Sequence, residues 1–134
     1  MLIKTRYVED ELFESENIEG IKQLVDMRPK GKKEHFTPVE MLLSAIGSCA
    51  AVDVVSMIKK RRKVVNDFVV EVEGKRREDY PKAFTDIHAK FVLYSSNANQ
   101  EELEKATKMV MEKYCSVASS LNAEVTFSSK IIKA

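Results

Sequence analysis

The stretch from Thr37 to Arg62, TPVEMLLSAIGSCAAVDVVSMIKKRR, constrains this chain more than any other part of it. The pattern predicts one long helix. Thr37 suits the N-cap, Pro38 the first helical position, and Glu40 completes a capping box with Thr37. Between Met41 and Ile58 apolar residues fall on nearly every face, and a helix apolar all round is expected to be buried rather than half exposed. Gly47, Ser48, Cys49, Ala50 and Ala51 form a run of small residues in its middle, where another backbone or a ligand can come close. Cys49 stands at the centre of that run.

At 134 residues the chain is expected to form one domain, residues 1–134. Its 22 basic and 21 acidic side chains nearly cancel, which argues against a general binder of nucleic acid or of membranes, because such proteins carry a strong basic excess. Two cysteines are too few for a secreted disulfide scaffold. The N-terminus, MLIKTRYVEDEL, turns charged at once, unlike a secretory signal. The uncharged run from Met41 to Val52 is short for a membrane span, and Asp53 closes it. The expected compartment is the cytoplasm, where a lone pair of cysteines does redox or metal chemistry rather than stapling a fold.

Residues 1–27 read as three short strands. Ile3, Thr5 and Tyr7 alternate with charged neighbours, Asn17 to Gly20 is a turn, and Ile21, Gln23, Val25 and Met27 alternate again. Residues 28–36, RPKGKKEHF, form a basic loop: either a solvated connection or a mobile rim over a site, with Arg28 placed to reach an anion or a peroxide oxygen. Beyond the long helix, KRRK meets the negative end of the helix dipole. A strand around Phe68, Val70 and Val72 follows, then a charged turn from Gly74 to Lys82, then a strand from Phe84 to Ser95 with Ile87, Ala89, Phe91 and Leu93 on one face. His88 lies on the other face and reads as an ordinary solvent-facing histidine. Asn99 caps a second helix, with Glu102 three places on and an apolar stripe of Leu103, Ala106, Val110 and Tyr114. Cys115 follows, then a short helical turn, then a last strand through Val125, Phe127 and Ile131. This order predicts an α+β fold, antiparallel sheet with helices packed on it.

The chain contains no Gly-rich phosphate loop, no HExxH, no CxxC and no nucleophile elbow. Two cysteines set among small residues remain. Each is open to a bland reading as a small buried hydrophobe. Metal binding by Cys49, Cys115, His35 and His88 has no support from ligand spacing. A redox reading uses both cysteines: a thiolate cleaves a peroxide O–O bond, becomes a sulfenic acid, and condenses with a second thiol. The junction at Cys115 offers free backbone N–H groups that would lower a thiol pKa.

The pattern PVEMLLSAIGSCAAVDVVSMIKK, followed by EKYCSVASSLNAEV, resembles the OsmC/Ohr family (osmotically inducible protein and organic hydroperoxide resistance protein) over nearly the whole chain. The resemblance implies an intertwined homodimer, with antiparallel sheets wrapped around long central helices and two sites at the subunit interface. It makes Cys49 the peroxidatic and Cys115 the resolving cysteine, with a dithiol reducing the resulting disulfide and no cofactor or metal. Better-known members hold the first thiolate with an arginine and a glutamate. Here the position directly after the proline is Val39, with Glu40 one place later; the corner after the first strand reads Glu9-Asp10; and Ser116 stands where many members have proline. Glu40, Asp53 and Arg28 are the supporting candidates. Glu40 lies nine residues from Cys49, half a revolution out of phase on a continuous helix, whereas Asp53, four on, shares its face. These departures point to the less characterised branch of the family. Two functions follow: reduction of organic hydroperoxides in oxidative-stress defence, or binding of a small ligand, or redox sensing, without efficient peroxidase turnover.

Overall fold

A computed structural model describes residues 1–134, which divide into two compact units, Met1–Leu42 and Leu43–Ala134. The first unit carries an antiparallel sheet of β1 (Lys4–Glu9), β2 (Leu12–Glu16) and β3 (Lys22–Asp26) in sequence order. The β1–β2 corner turns through Glu11 at φ 65. The β2–β3 corner is built by Asn17, whose side-chain oxygen accepts the N–H groups of Glu19 and Ile21 at 3.0 Å each, and by Gly20 at φ 83. The three expected strands are therefore present. Little is buried here: Leu12 and Val25 are this unit's only buried apolar side chains, whereas Tyr7, Val8, Ile18, Ile21, Met27 and Phe36 are exposed.

Helix α1 (Pro38–Lys60) begins as the sequence dictates. The Thr37 N–H donates to the Glu40 carboxylate at 3.0 Å, and the Glu40 N–H to the Thr37 hydroxyl at 3.2 Å. It ends with Arg62 at φ 59, where the Lys63 N–H bonds back to the Ile58 carbonyl at 3.2 Å and the Arg62 N–H to that of Lys59 at 2.9 Å. By length and composition alone α1 would suffice to cross a bilayer. Instead Ile46, Ala50, Val54 and Ile58, spaced four apart, form an inward ridge. A Cβ on Gly47 would stand 3.3 Å from the Val72 side chain, so the helix lies close on its sheet. The expectation of burial on every side does not hold for the single chain: Val52 is 69% exposed, and Leu42, Ser44, Ser48 and Ser56 are also exposed.

The second unit's sheet has the order β4 (Asp67–Arg76), β5 (Phe84–Ser95), β6 (Glu124–Lys133). On β5, Ile87, Ala89, Phe91 and Leu93 are buried, as their alternation predicts, and the last three share one cluster with residues of α1 and α2 (Gln100–Met109). The α+β class is as expected, with one departure in strand direction. β4 and β5 are antiparallel, but β6 runs parallel to β5. The reason lies in the connection: α2, a π turn (Val110–Tyr114) and the single turn α3 (Ser116–Ser119) carry the chain back to the end of the sheet where β5 began, as a parallel pair requires. A second departure is at Gly74, which belongs to β4 opposite Ile87 rather than to a turn. A Cβ there would come within 2.5 Å of the Phe84 ring. α2 starts at the expected cap: the Glu102 N–H donates to the Asn99 side-chain oxygen at 2.9 Å, and the Asn99 side-chain NH2, rather than its backbone N–H, donates to the Glu102 carboxylate at 3.0 Å.

Candidate active site

Cys49 is carried by α1 one residue before the inward Ala50, so it is half-buried and packs on the edge of the core cluster. Cys115 belongs to that cluster and is 4% exposed. The fold thus brings the two cysteines together within the second unit although 66 residues separate them in sequence (115 − 49). Both are free thiols. Burial pushes the Cys115 thiol pKa up; the amides of Val117 and Ala118 pull the other way, and the neighbouring Cys49, through its charge and as a hydrogen-bond partner, raises it further. The helix junction was expected to lower this pKa. The direction is the reverse, because loss of solvent outweighs the two amides.

The supporting candidates lie as follows. Asp53 is half-buried and shares the Cys49 face of α1. Glu40 is exposed and occupied in the capping box, and hydrogen bonds from Thr37 hold its carboxyl below the usual range. α1 is unbroken from Pro38, so Glu40 stays half a revolution from Cys49 along the helix.

Arg28 is held by Asp26, a residue the sequence did not single out. Asp26 is fully buried at the end of β3. Its carboxylate accepts Nε and Nη2 of Arg28 at 2.9 and 2.7 Å, and the N–H groups of Arg28, Glu34 and His35 at 3.1, 2.9 and 3.3 Å. The Arg28 guanidinium, chiefly, and then the amides hold the Asp26 carboxyl far below the ordinary range against the opposing effect of burial. Residues 28–35 are therefore tied to one carboxylate rather than forming a loose solvated connection. A faint signal existed, since Val25 and Asp26 end an alternating strand two residues before an arginine. His88 stands exposed on β5, as expected, with its ring nitrogens 2.7 Å from the Thr126 hydroxyl and 2.9 Å from that of Ser128. His35 is exposed in the loop.

Two cysteines at one core cluster, one on a small-residue stretch of a long helix and one at the break after a second helix, lie on an α+β scaffold. Comparison with known proteins gives the family. The family described as OsmC-like protein matches residues 31–130. Protein YhfA of Escherichia coli (strain K12) is 34% identical over 136 aligned positions that cover 100% of both chains. A crystal structure of a hypothetical protein from Aquifex aeolicus VF5 is 31% identical, with a TM-score of 0.80 over 98% of this chain and 96% of that one. The OsmC-like protein of Mycoplasma pneumoniae shares the fold at 18% identity, with a TM-score of 0.82 over 97% and 95% of the two chains. At greater distance, so does the organic hydroperoxide resistance protein OhrB of Bacillus subtilis, 12% identical with a TM-score of 0.64 over 98% of each chain. The chain belongs to the OsmC-like family.

Proposed function

We propose that this protein is a cytoplasmic, homodimeric, thiol-dependent peroxidase that reduces organic hydroperoxides in oxidative-stress defence. The observation that carries the reading is the meeting of Cys49 and Cys115 at the edge of one core cluster. The Cys49 thiolate attacks the outer oxygen of a hydroperoxide ROOH; the O–O bond breaks, ROH leaves after taking a proton, and Cys49 becomes a sulfenic acid. The Cys115 sulfur then attacks the Cys49 sulfur, the S–O bond breaks, and the hydroxide leaves as water with the Cys115 proton. A dithiol reductant exchanges with the disulfide, restores both thiols and is itself oxidised. No cofactor enters the cycle. The apolar surroundings of Cys49 favour an alkyl or aryl hydroperoxide over hydrogen peroxide. Asp53 is the acid nearest Cys49 along its helix face; Arg28 and Glu40 stand off the positions of the family's arginine and glutamate, and are engaged by Asp26 and by the Thr37 cap.

The homodimer is supported by the uncovered side of α1. Ser44, Ser48, Val52 and Ser56 make a second, exposed ridge of mostly small side chains, suited to close packing by a helix of a second copy. A second functional reading, small-ligand binding or redox sensing with a single oxidation event, is favoured by the raised Cys115 pKa, since a protonated thiol resolves a sulfenic acid slowly.

Turnover decides between them. With cumene hydroperoxide and dithiothreitol, the peroxidase reading expects many equivalents consumed per subunit, none by Cys49→Ser, and a dimedone-trappable sulfenic acid without disulfide in Cys115→Ser. Consumption of one equivalent and no more establishes the sensing reading; unchanged consumption by Cys49→Ser rejects both.

A further inference from the structure

Along α2 and into the turn after it the buried residues recur at helical spacing: Leu103, Ala106, Thr107 and Val110. An uninterrupted α-helix would next turn Tyr114 inward, four residues after Val110, and would carry Cys115 about 140° round from Val110, off that face. Neither happens. The chain widens into the π turn, the Cys115 N–H reaches back five residues to the Val110 carbonyl at 2.8 Å, and Tyr114 is left 54% exposed while Cys115 is 4% exposed. The Cys115 carbonyl is fixed from the other side, accepting the Ser119 N–H of α3 at 3.1 Å. Both backbone polar groups of this cysteine are thus held, one by each flanking helical segment.

We propose that the π turn is a positioning element for disulfide formation: by adding one residue to the last turn of α2, it selects Cys115 over Tyr114 for the inward place and holds its sulfur toward Cys49. A π turn is rarer than an α turn and concentrates at functional sites, so its position directly before the second cysteine calls for a reason. The inference rests on the peroxidase reading for the chemistry served, in which Cys115 attacks the Cys49 sulfenic acid left by an organic hydroperoxide and water departs. That attack needs the two sulfurs aligned, and small misplacements of reacting groups cost on the order of 100-fold in rate.

A cysteine walk tests this. Tyr114→Cys combined with Cys115→Ser moves the thiol one place back, onto the outward position. Deletion of Lys113 removes the extra residue, so that an ordinary α turn carries the cysteine in its present phase. Disulfide formation with Cys49 is followed by mass spectrometry of the full chain, first with diamide, which oxidises thiol pairs directly, and then with cumene hydroperoxide. The walked variant is expected to pair roughly 100-fold more slowly, and under hydroperoxide its Cys49 sulfenic acid accumulates for dimedone to trap. The deletion variant is expected to keep rapid pairing. Pairing of the walked variant at the wild-type rate, or loss of pairing in a deletion variant that keeps the native circular dichroism, overturns the proposal. A wild-type protein that pairs under diamide and ignores the hydroperoxide rejects the peroxidase reading instead, and leaves the positioning role standing.

Discussion

Cys49 and Cys115 are the same side chain in different solvent. Cys115 loses nearly all contact with water, which penalises its thiolate and raises its pKa, so at neutral pH it is a thiol and reacts slowly with electrophiles. Iodoacetamide is therefore expected to label Cys115 in the folded protein only at a pH above the ordinary thiol range, and readily at lower pH in urea. The sign for stability follows from linkage. The folded-state pKa lies above the unfolded one, so the contribution is complete below the unfolded pKa of about 8.5 and is lost as pH rises through the folded value. Cys115→Ser should flatten that alkaline loss in urea titrations; an unchanged alkaline slope would show that the thiol is not shielded. Both cysteines were legible in the sequence because the chain has only two and a family pattern surrounds each. The phase of Cys115 was not. VMEKYC reads as continuous helix with Tyr114 on the apolar stripe, and the π turn that shifts the phase by one residue leaves no mark in a local hydrophobic pattern.

The same distinction holds for whole elements. Caps are local: Thr37 with Glu40 and Asn99 with Glu102 specify their helix starts within four residues, and both caps form. Gly74 looked like a turn residue among charges. Its use is instead non-local, since the Phe84 ring occupies the place of the missing side chain inside β4. Gly74→Ala should force that ring aside and destabilise the protein by about 1–3 kcal/mol in urea unfolding, whereas an ordinary turn glycine at negative φ would tolerate alanine. A stabilising outcome would mean that Phe84 has another place to go. The parallel β5–β6 pair was hidden for a related reason. Alternation fixes which side chains face the core but says nothing about strand direction, and direction was set by where the α2 crossover returned the chain.

For the molecule as a whole, the exposed ridge of α1 is the feature on which the proposed homodimer is tested. Val52→Glu places a charge at the middle of that ridge, and a buried unpaired charge is costly. The wild-type chain is expected to sediment as a dimer, and the variant to dissociate at concentrations roughly 100-fold higher. A wild-type monomer at micromolar concentration would end the dimer reading. The N-terminal sheet, whose only buried apolar side chains are Leu12 and Val25, also bears on time. Too little apolar surface is withdrawn from water within residues 1–42 to hold three strands together by themselves. In the proposed dimer their ordering waits on an encounter between molecules, and the last phase of refolding should slow in proportion as the protein is diluted.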